Sequence, residues 1–470
     1  MPTKRLLMSA LTLLLAAGCG GAAAPSAAPA SSAAAPASAA AKPSAAATAS
    51  AKPAASASAK PAASGAAAAG GPIKIGYIIP LTGVQADIAK YNQDGFNMYL
   101  ESIGGAMAGR KVEVSYADDQ LKPDVGLTKA KELVENSKVH ALMGMSSTSV
   151  AYPVAQYAKT SQTPLIISTN AGSQGMTMNP QFASPYLVRI TQNGAGTNDV
   201  LADWLIKQGK KKAIMLSQDF AAGYENADLF GSAYVYRGGS IVQELHPAVG
   251  TSDFGPFIAQ LAKDADVVYE FEPGVDGLRL LEQFYTIGPK NLMVADLYAG
   301  SITGANLAQL KEKAVGIIGI APFAESYDDP GVQAFVKAWK AKFPNQPPDA
   351  NAAAGYAGAQ VLEAALKKIN GNIENKQAFL NALYETNLDT ARGPIKLDQF
   401  HDVIQDMKIF TVEKQASGIA QKMLETYKGV GQFWDRSEDQ LRKFEFGKMK
   451  GKWVGMTKDQ LGDVITLPKS

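Results

Sequence analysis

From residue 73 onward, short apolar runs alternate with longer stretches in which apolar residues recur every three or four positions. The run Ile73–Ile79 predicts a strand, and Leu81-Thr82-Gly83 turns into a helix over 88–102. Residues 112–116 read as the next strand. Pro123 then opens a helix at the one place where its missing N–H costs nothing, with Asp124 in the positive first turn. Leu127, Ala130 and Val134 share one face of that helix, and strands follow at 141–144 and 164–168. After Arg189 the rhythm restarts. Helices over 199–207, 224–236 and 278–285 interleave with strands over 212–217, 240–245, 266–271, 291–295 and 315–320, and helices return over 333–342, 352–369 and 376–385. Short apolar strands between amphipathic helices mean parallel sheets covered on both faces, so the two series predict two doubly wound, Rossmann-like α/β lobes. Ligands of such sheets bind beyond the carboxyl ends of the strands, which directs attention to the loops that follow strands.

The first 71 residues break this pattern. Lys4 and Arg5 precede an apolar stretch over 6–17, too short to span a bilayer but suited to a signal-peptide core, so residues 1–18 are expected to be a signal peptide. The stretch ends in Ala-Ala-Gly-Cys at 16–19, which resembles the lipobox of bacterial lipoproteins, with Leu15 one place earlier than that pattern prefers. Cys19 is the sole cysteine of the sequence, so the expectation is lipidation at Cys19 rather than a disulfide or a thiolate metal site. Residues 20–71 are almost entirely Ala, Pro, Ser, Gly and Lys, with Lys-Pro recurring at 42–43, 52–53 and 60–61. Without large apolar side chains this segment has nothing to offset its ordering entropy, and residues 19–71 are expected to form a disordered tether. Its reach is roughly 40 Å as a flexible coil and on the order of 160 Å as polyproline II.

Charge narrows the choice of partner. Lysine and arginine total 45 against 43 acids, a balance that argues against a nucleic-acid or anionic-membrane surface. Enzyme chemistry finds little support. His140, His246 and His401 lack metal-ligand spacing, no Walker A sequence is present, and Gly194-Ala-Gly196 does not complete a dinucleotide fingerprint and is expected instead to free the backbone of a crossover. No cofactor, metal or catalytic residue is expected.

Several segments taken in order resemble type I periplasmic binding proteins of the branched-chain amino acid group. They are the opening 73–83 with its Ile-Ile-Pro-Leu-Thr-Gly, Gly109-Arg-Lys-Val-Glu-Val114, Asp118-Asp119, Ala141-Leu-Met-Gly-Met-Ser-Ser-Thr148, Pro164-Leu-Ile-Ile-Ser168 and Gly393-Pro-Ile-Lys396. The resemblance implies two lobes joined by three hinge crossovers, near 189–192, 320–322 and 401–405. Lobe 1 is then 72–190 with 322–402, and lobe 2 is 191–321 with 403–470. It also implies a ligand held in the interlobe cleft and delivered to the permease of an ABC importer by a monomeric, lipid-anchored protein on the outer face of the membrane. A sensor that presents its ligand to a membrane receptor is the alternative use of the same fold.

Candidate binding residues come from the loops. Ser146, Ser147 and Thr148 follow a strand and start a helix, where hydroxyls and free N–H groups suit a carboxylate; they are equally suited to capping the helix. The resemblance implies a ligand carboxylate at this loop, with further contacts from Thr169, Asn170 and Ala171, although Asn170 also fits a turn that satisfies its own backbone. From the second lobe it implies an aromatic residue on the ligand, Tyr224 with Phe220 as competitor, and an acid for an ammonium group at Asp296. Glu270 and Glu272 end a strand and are either ligand-facing acids or a solvated loop. The segment ending Val430-Gly-Gln-Phe-Trp434 resembles one in relatives that bind aromatic carboxylates, so the ligand class stays divided between an amino acid and an amine-free carboxylate. The basic and aromatic stretch with Phe444, Phe446 and Trp453 has no assigned place.

Overall fold

The computed structural model describes residues 70–464 apart from 417, so the expected signal peptide, the lipidation site Cys19 and all but the last two residues of the tether lie outside the described residues. The described chain forms two sheets. The first contains β1 (Ile73–Ile79), β2 (Ala106–Met107), β3 (Arg110–Asp118), β4 (Ala141–Gly144), β5 (Leu165–Ile167) and β6 (Leu187–Arg189). The second contains β7 (Lys212–Ser217), β8 (Ser240–Leu245), β9 (Val267–Phe271), β10 (Met293–Leu297), β11 (Ile318–Ala321), β12 (Asn387–Thr390), β13 (Gly393–Leu397), β14 (Val403–Gln415) and β15 (Gly418–Val430).

Both sheets carry the same parallel core. The order β3-β1-β4-β5-β6 in the first is repeated as β8-β7-β9-β10-β11 in the second, a 2-1-3-4-5 order that reverses direction beside its first strand. The inner strands β4, β5, β9 and β11 are buried throughout because helices cover both faces, whereas the outer β3 and β8 mix polar and part-exposed positions with apolar ones. Tyr77, Phe96, Met143 and Leu362 pack on one face of the first sheet, and Ile78, Leu142, Val150 and Ile167 on the other. In the second sheet Phe230, Tyr269 and Ile320 pack on one face, with Leu216, Val268 and Leu280 on the other. Helix Ala86–Ser102 lies so close to helix Ala350–Lys368 that a Cβ on Gly95 would stand 2.0 Å from the Ala352 carbonyl oxygen, so only glycine fits there.

The chain passes from β6 into helix Gly194–Lys207, and again from β11 towards helix Pro330–Lys342, which Asp329 caps through the Gly331 and Val332 N–H groups. It crosses a third time between β13 and β14. The β12–β13 hairpin is hydrogen-bonded to β14 of the second sheet, yet Ile395, Leu388 and Leu397 bury their side chains in the first lobe's core.

One feature differs from the sequence expectation, and another fills a place the sequence left open. Gly194 and Gly196 do not loosen a crossover: they form the first turn of a helix capped by Asn193, and a Cβ on Gly196 would lie 2.4 Å from the Gly431 carbonyl oxygen. The chain beyond Val412 also continues the sheet, because β14 and β15 form a long antiparallel hairpin. The stretch after it packs on the second lobe. Trp453 is buried against Gly231 with its Nε1–H donated to Asp228 at 2.7 Å, and Arg436 pairs with buried Asp199. Among the described residues no helix is long and apolar enough to cross a membrane.

Candidate functional site

The loops after the central strands of both sheets enclose one cavity between the lobes. It offers about 60 Å³ to the centres of water-sized molecules, within about 810 Å³ of atom-free space. One water needs roughly 10–15 Å³ on the first measure, so the space suits a small organic solute. The lobes meet at its rim: Val275 N–H donates to the Val84 carbonyl at 3.3 Å, and the Thr303 hydroxyl donates to Asp349 at 2.9 Å.

On the first lobe the chain leaves β4 through Gly144 and Met145, both with positive φ. A Cβ on Gly144 would stand 2.2 Å from the Ile78 carbonyl oxygen, so glycine alone permits this turn. The turn delivers Ser146 and Thr148 to the cavity wall at the start of helix Thr148–Ser161. The Ser146 hydroxyl is buried without a partner. Ser147 occupies the N-cap position, buried and off the cavity wall, and its side chain makes no capping bond. Asn170 lines the cavity with its amide donated to Asn351 at 2.7 Å, so it is oriented by a helix of the same lobe rather than by its own turn. Thr169 is buried with an unpartnered hydroxyl but lies off the wall, and the Ala171 N–H is already bonded to the Met145 carbonyl at 3.1 Å.

On the second lobe the aromatic position belongs to Phe220. It immediately precedes helix Ala221–Tyr236, lines the cavity and stacks on Phe271, which meets Tyr298 edge-on. Tyr224, one turn further along, points elsewhere. Its hydroxyl bonds to Asp219 and Lys450, and its ring rests on His246. The expected helix start at 224 is three residues late, and the rim position moves to Phe220 with it.

The three acids divide into a pair and a single group. Glu270 and Asp296 stand opposite each other on adjacent parallel strands, and burial pushes both carboxyls up. Asp296 accepts the Ser301 N–H at 2.9 Å and Glu270 accepts the Glu272 N–H at 2.7 Å, and the charge of Asp296 adds to the burial that raises Glu270. Only Asp296 of this pair lines the cavity. Glu272 also lines it, with neither carboxylate oxygen partnered, and burial together with the nearby charge of Asp276 pushes it up to about 9.

One wall residue escapes the sequence pattern. Arg392 is 2% exposed; one Nη donates to the Ile190 carbonyl, while Nε and the other Nη have no partner. Burial pulls its guanidinium down to about 10. Its sole signal in the sequence is its place directly before the segment Gly393-Pro-Ile-Lys396 that carries part of the resemblance. The histidines take structural places: His140 accepts the Lys74 N–H at 2.9 Å, His246 bonds to Glu244 at 2.8 Å, and His401 stacks on Tyr384. Among the described residues no group of three or more acids, histidines or cysteines is placed to hold a metal ion.

Comparison with known proteins gives this geometry its context. The periplasmic binding protein family model matches residues 72–417. A Leu/Ile/Val-binding protein homolog of Brucella melitensis is 27% identical over 367 residues, covering 76% of this chain and 92% of the relative. Among solved structures, an ABC transporter substrate-binding protein from Sphaerobacter thermophilus superposes with a TM-score of 0.71 at 28% identity, covering 76% of this chain and 98% of that one. A solute-binding protein of an ABC transporter from Rhodopseudomonas palustris, in complex with 3,4-dihydroxybenzoic acid, gives the same TM-score, identity and coverage. The chain therefore belongs to the periplasmic binding protein family and is a type I, ABC-type substrate-binding protein of the leucine/isoleucine/valine-binding group.

Proposed function

We propose that this protein is an exported, lipid-anchored substrate-binding protein that captures an apolar amino acid between its lobes and hands it to an ABC permease. The observation that carries the ligand class is that two buried groups of opposite type line the cavity with unpartnered atoms: Arg392 at Nε and one Nη, and Glu272 at both carboxyl oxygens, the latter free to give up its proton to an arriving cation. Burying either charge alone is costly, and a zwitterion satisfies both at once. Its carboxylate takes Arg392 with the Ser146 hydroxyl and the start of helix Thr148–Ser161. Its ammonium takes Glu272, with Asp296 behind it, and its side chain lies against Phe220, Phe271 and Tyr298. The moving bodies are 72–190 with 322–402 and 191–321 with 403–470, and the anchor is Cys19.

A second reading is favoured by the aromatic wall and by the dihydroxybenzoic acid bound to the Rhodopseudomonas palustris protein. There the carboxylate still takes Arg392, and Glu272 keeps its proton and donates it to a ring hydroxyl.

A melting-shift screen of amino acids and hydroxybenzoates separates the two, because a ligand at about 100 times its dissociation constant adds roughly 2.7 kcal/mol. Responses confined to amino acids uphold the first reading, responses confined to hydroxybenzoates replace it with the second, and a flat screen sinks both. Membrane fractionation of Cys19→Ser tests the anchor, since a mutant still found on membranes removes the lipoprotein assignment.

A further inference from the structure

The arginine that faces the ligand is itself held by a second buried cation. Lys408 on β14 is 0% exposed. Its ammonium donates to the carbonyls of Pro322 at 2.7 Å, Arg392 at 2.8 Å and Asp406 at 3.2 Å, and lies 4.4 Å from the centre of the Tyr327 ring. Pro322 lies just beyond β11 on the second crossover, and Asp406 lies on β14, just past the third. Arg392 in turn donates to Ile190, at the first crossover. Two side chains therefore touch the first two connections between the lobes and the strand that the third one enters, and one of them lines the cavity. A buried lysine is an unusual choice for tying carbonyls together, since a neutral donor would bridge them without bringing a charge out of water.

We propose that Lys408 is a positioning residue for ligand capture: by gripping the Arg392, Pro322 and Asp406 carbonyls it sets the guanidinium in the cavity and ties its occupancy to the second crossover and the strand that the third one enters. This rests on the reading that Arg392 holds the ligand's carboxylate.

The arrangement has a protonic consequence. The charged and titratable groups facing Lys408 are Asp406 on its own strand, Asp329 and Tyr327 from the segment after β11, and Arg392 before β13; its neighbours across the sheet, Ala321 and Thr426, carry no charge. The Asp406 carboxylate is already engaged by the Tyr327 hydroxyl at 3.1 Å and the Gly429 N–H at 2.9 Å. Burial, with the repulsion of Arg392, pulls the ammonium down to about 7. A carboxylate arriving on Arg392 cancels that repulsion and raises Lys408, so capture draws a proton onto Lys408 wherever the empty protein has lost it. Affinity then declines as pH rises above about 7, by at most tenfold per pH unit.

The test is calorimetry of the full chain with whichever probe binds among the amino acids, 4-hydroxybenzoate and 3,4-dihydroxybenzoate, in two buffers of different ionisation enthalpy at pH 6, 7 and 8. Protons released from Glu272 enter the wild type and the Lys408 variants alike, so the difference between them reports Lys408. The expected result is that Lys408→Met binds at least tenfold more weakly at pH 6 and loses the proton uptake seen between pH 7 and 8. Lys408→Arg, charged throughout, is expected to stay within threefold of the wild type and also lose the uptake. A Lys408→Met protein with wild-type affinity and wild-type proton linkage overturns the proposal. If Lys408→Met does not fold, Lys408→Arg decides, because uptake retained in it overturns the proposal and uptake lost supports it. Arg392→Leu separates the two layers. Binding unchanged in it removes the reading of Arg392 and the proposal together, whereas binding lost a hundredfold with Lys408→Met unaltered removes the proposal alone. Failure of every probe to bind overturns both.

Discussion

The two lobes repeat one strand order and bring opposite chemistry to the cavity between them. After β4 the first lobe turns through two left-handed residues and presents the Ser146 and Thr148 hydroxyls, with the Asn170 amide beside them, all neutral. At the ends of β9 and β10 the second lobe presents Glu272 and Asp296, with Phe271 and Tyr298 also on the wall. Topology puts the loops in place, and what each loop carries decides which end of a ligand it receives. The cation that completes the wall, Arg392, belongs to neither set of strand-end loops. It comes from the hairpin whose hydrogen bonds follow one lobe and whose side chains follow the other.

The sharpest way to break this contrast is to remove the second lobe's free acid. With an amino acid as ligand, Glu272→Gln is expected to weaken binding by about 2–5 kcal/mol, as loss of one partner of a buried charge pair does, measured by calorimetry at pH 7. An amine-free carboxylate would bind the variant as well as the wild type or better. Equal loss of both ligand classes would mean that Glu272 shapes the wall rather than reading charge.

The same acid marks the second lobe in the stability of the ligand-free protein. Burial lifts Glu272 to about 9, far above its unfolded value, so the folded form keeps a proton that the unfolded chain gives up as pH rises past about 4.5. Stability therefore falls with rising pH from about 4.5 towards 9, the reverse of an acid held by a salt bridge. Between pH 5 and pH 8 the loss attributable to this group is expected to be on the order of 4 kcal/mol. Chemical denaturation of the wild type and of Glu272→Gln at both pH values checks it. A difference between them that does not change with pH would show that Glu272 ionises normally in the folded protein.

Much of this division is legible in sequence because apolar runs locate strands, and strand ends locate loops. Ser146, Thr148, Asn170, Phe220, Glu272 and Asp296 all stand out on that ground and all line the cavity. What the pattern does not carry is which strands lie side by side. Glu270 and Asp296 are 26 positions apart, and only the register of β9 on β10 sets them face to face, where the charge of Asp296 helps to raise Glu270. Nor does it carry the burial of a polar residue. Arg392 looks like any surface arginine until the β12–β13 hairpin is packed between lobes. The two crossover glycines mislead for a related reason: Gly196 is required by a close approach to Gly431, more than two hundred positions away, and Gly194 by one to Leu229 and the Gly172 carbonyl, not by a flexible backbone.

On the first lobe each group makes one neutral contribution, so single losses there should be smaller. Ser146→Ala removes the buried hydroxyl that has no partner in the protein and is expected to cost about 1.5 kcal/mol of binding to either ligand class, the worth of a hydrogen bond to a charged group. It should leave the unfolding midpoint of the free protein unchanged or slightly raised, since an unsatisfied buried hydroxyl is removed. A loss confined to amino acids would place the ligand's ammonium, not its carboxylate, at this loop.

The smallest effect is expected where the sequence points most plainly to an aromatic contact. Tyr224 sits one turn into helix Ala221–Tyr236, and a residue one turn along a helix lies on the same face as the residue before its first turn, which makes Phe220 and Tyr224 look interchangeable. They are not, because Phe220 precedes the helix with an extended backbone, φ −158 and ψ 173, which swings its ring inward onto Phe271. Tyr224 keeps the helical direction and carries its hydroxyl outward to Asp219 and Lys450, on the C-terminal stretch that covers this lobe. Both of those partners are exposed, so their bonds contribute little to stability. Tyr224→Phe is therefore expected to alter ligand affinity by no more than about 0.5 kcal/mol and stability by a similar amount, read by calorimetry and denaturation. A tenfold loss of affinity in that variant would mean that the outer surface of the helix, and the C-terminal stretch bonded to it, moves with the closing of the lobes.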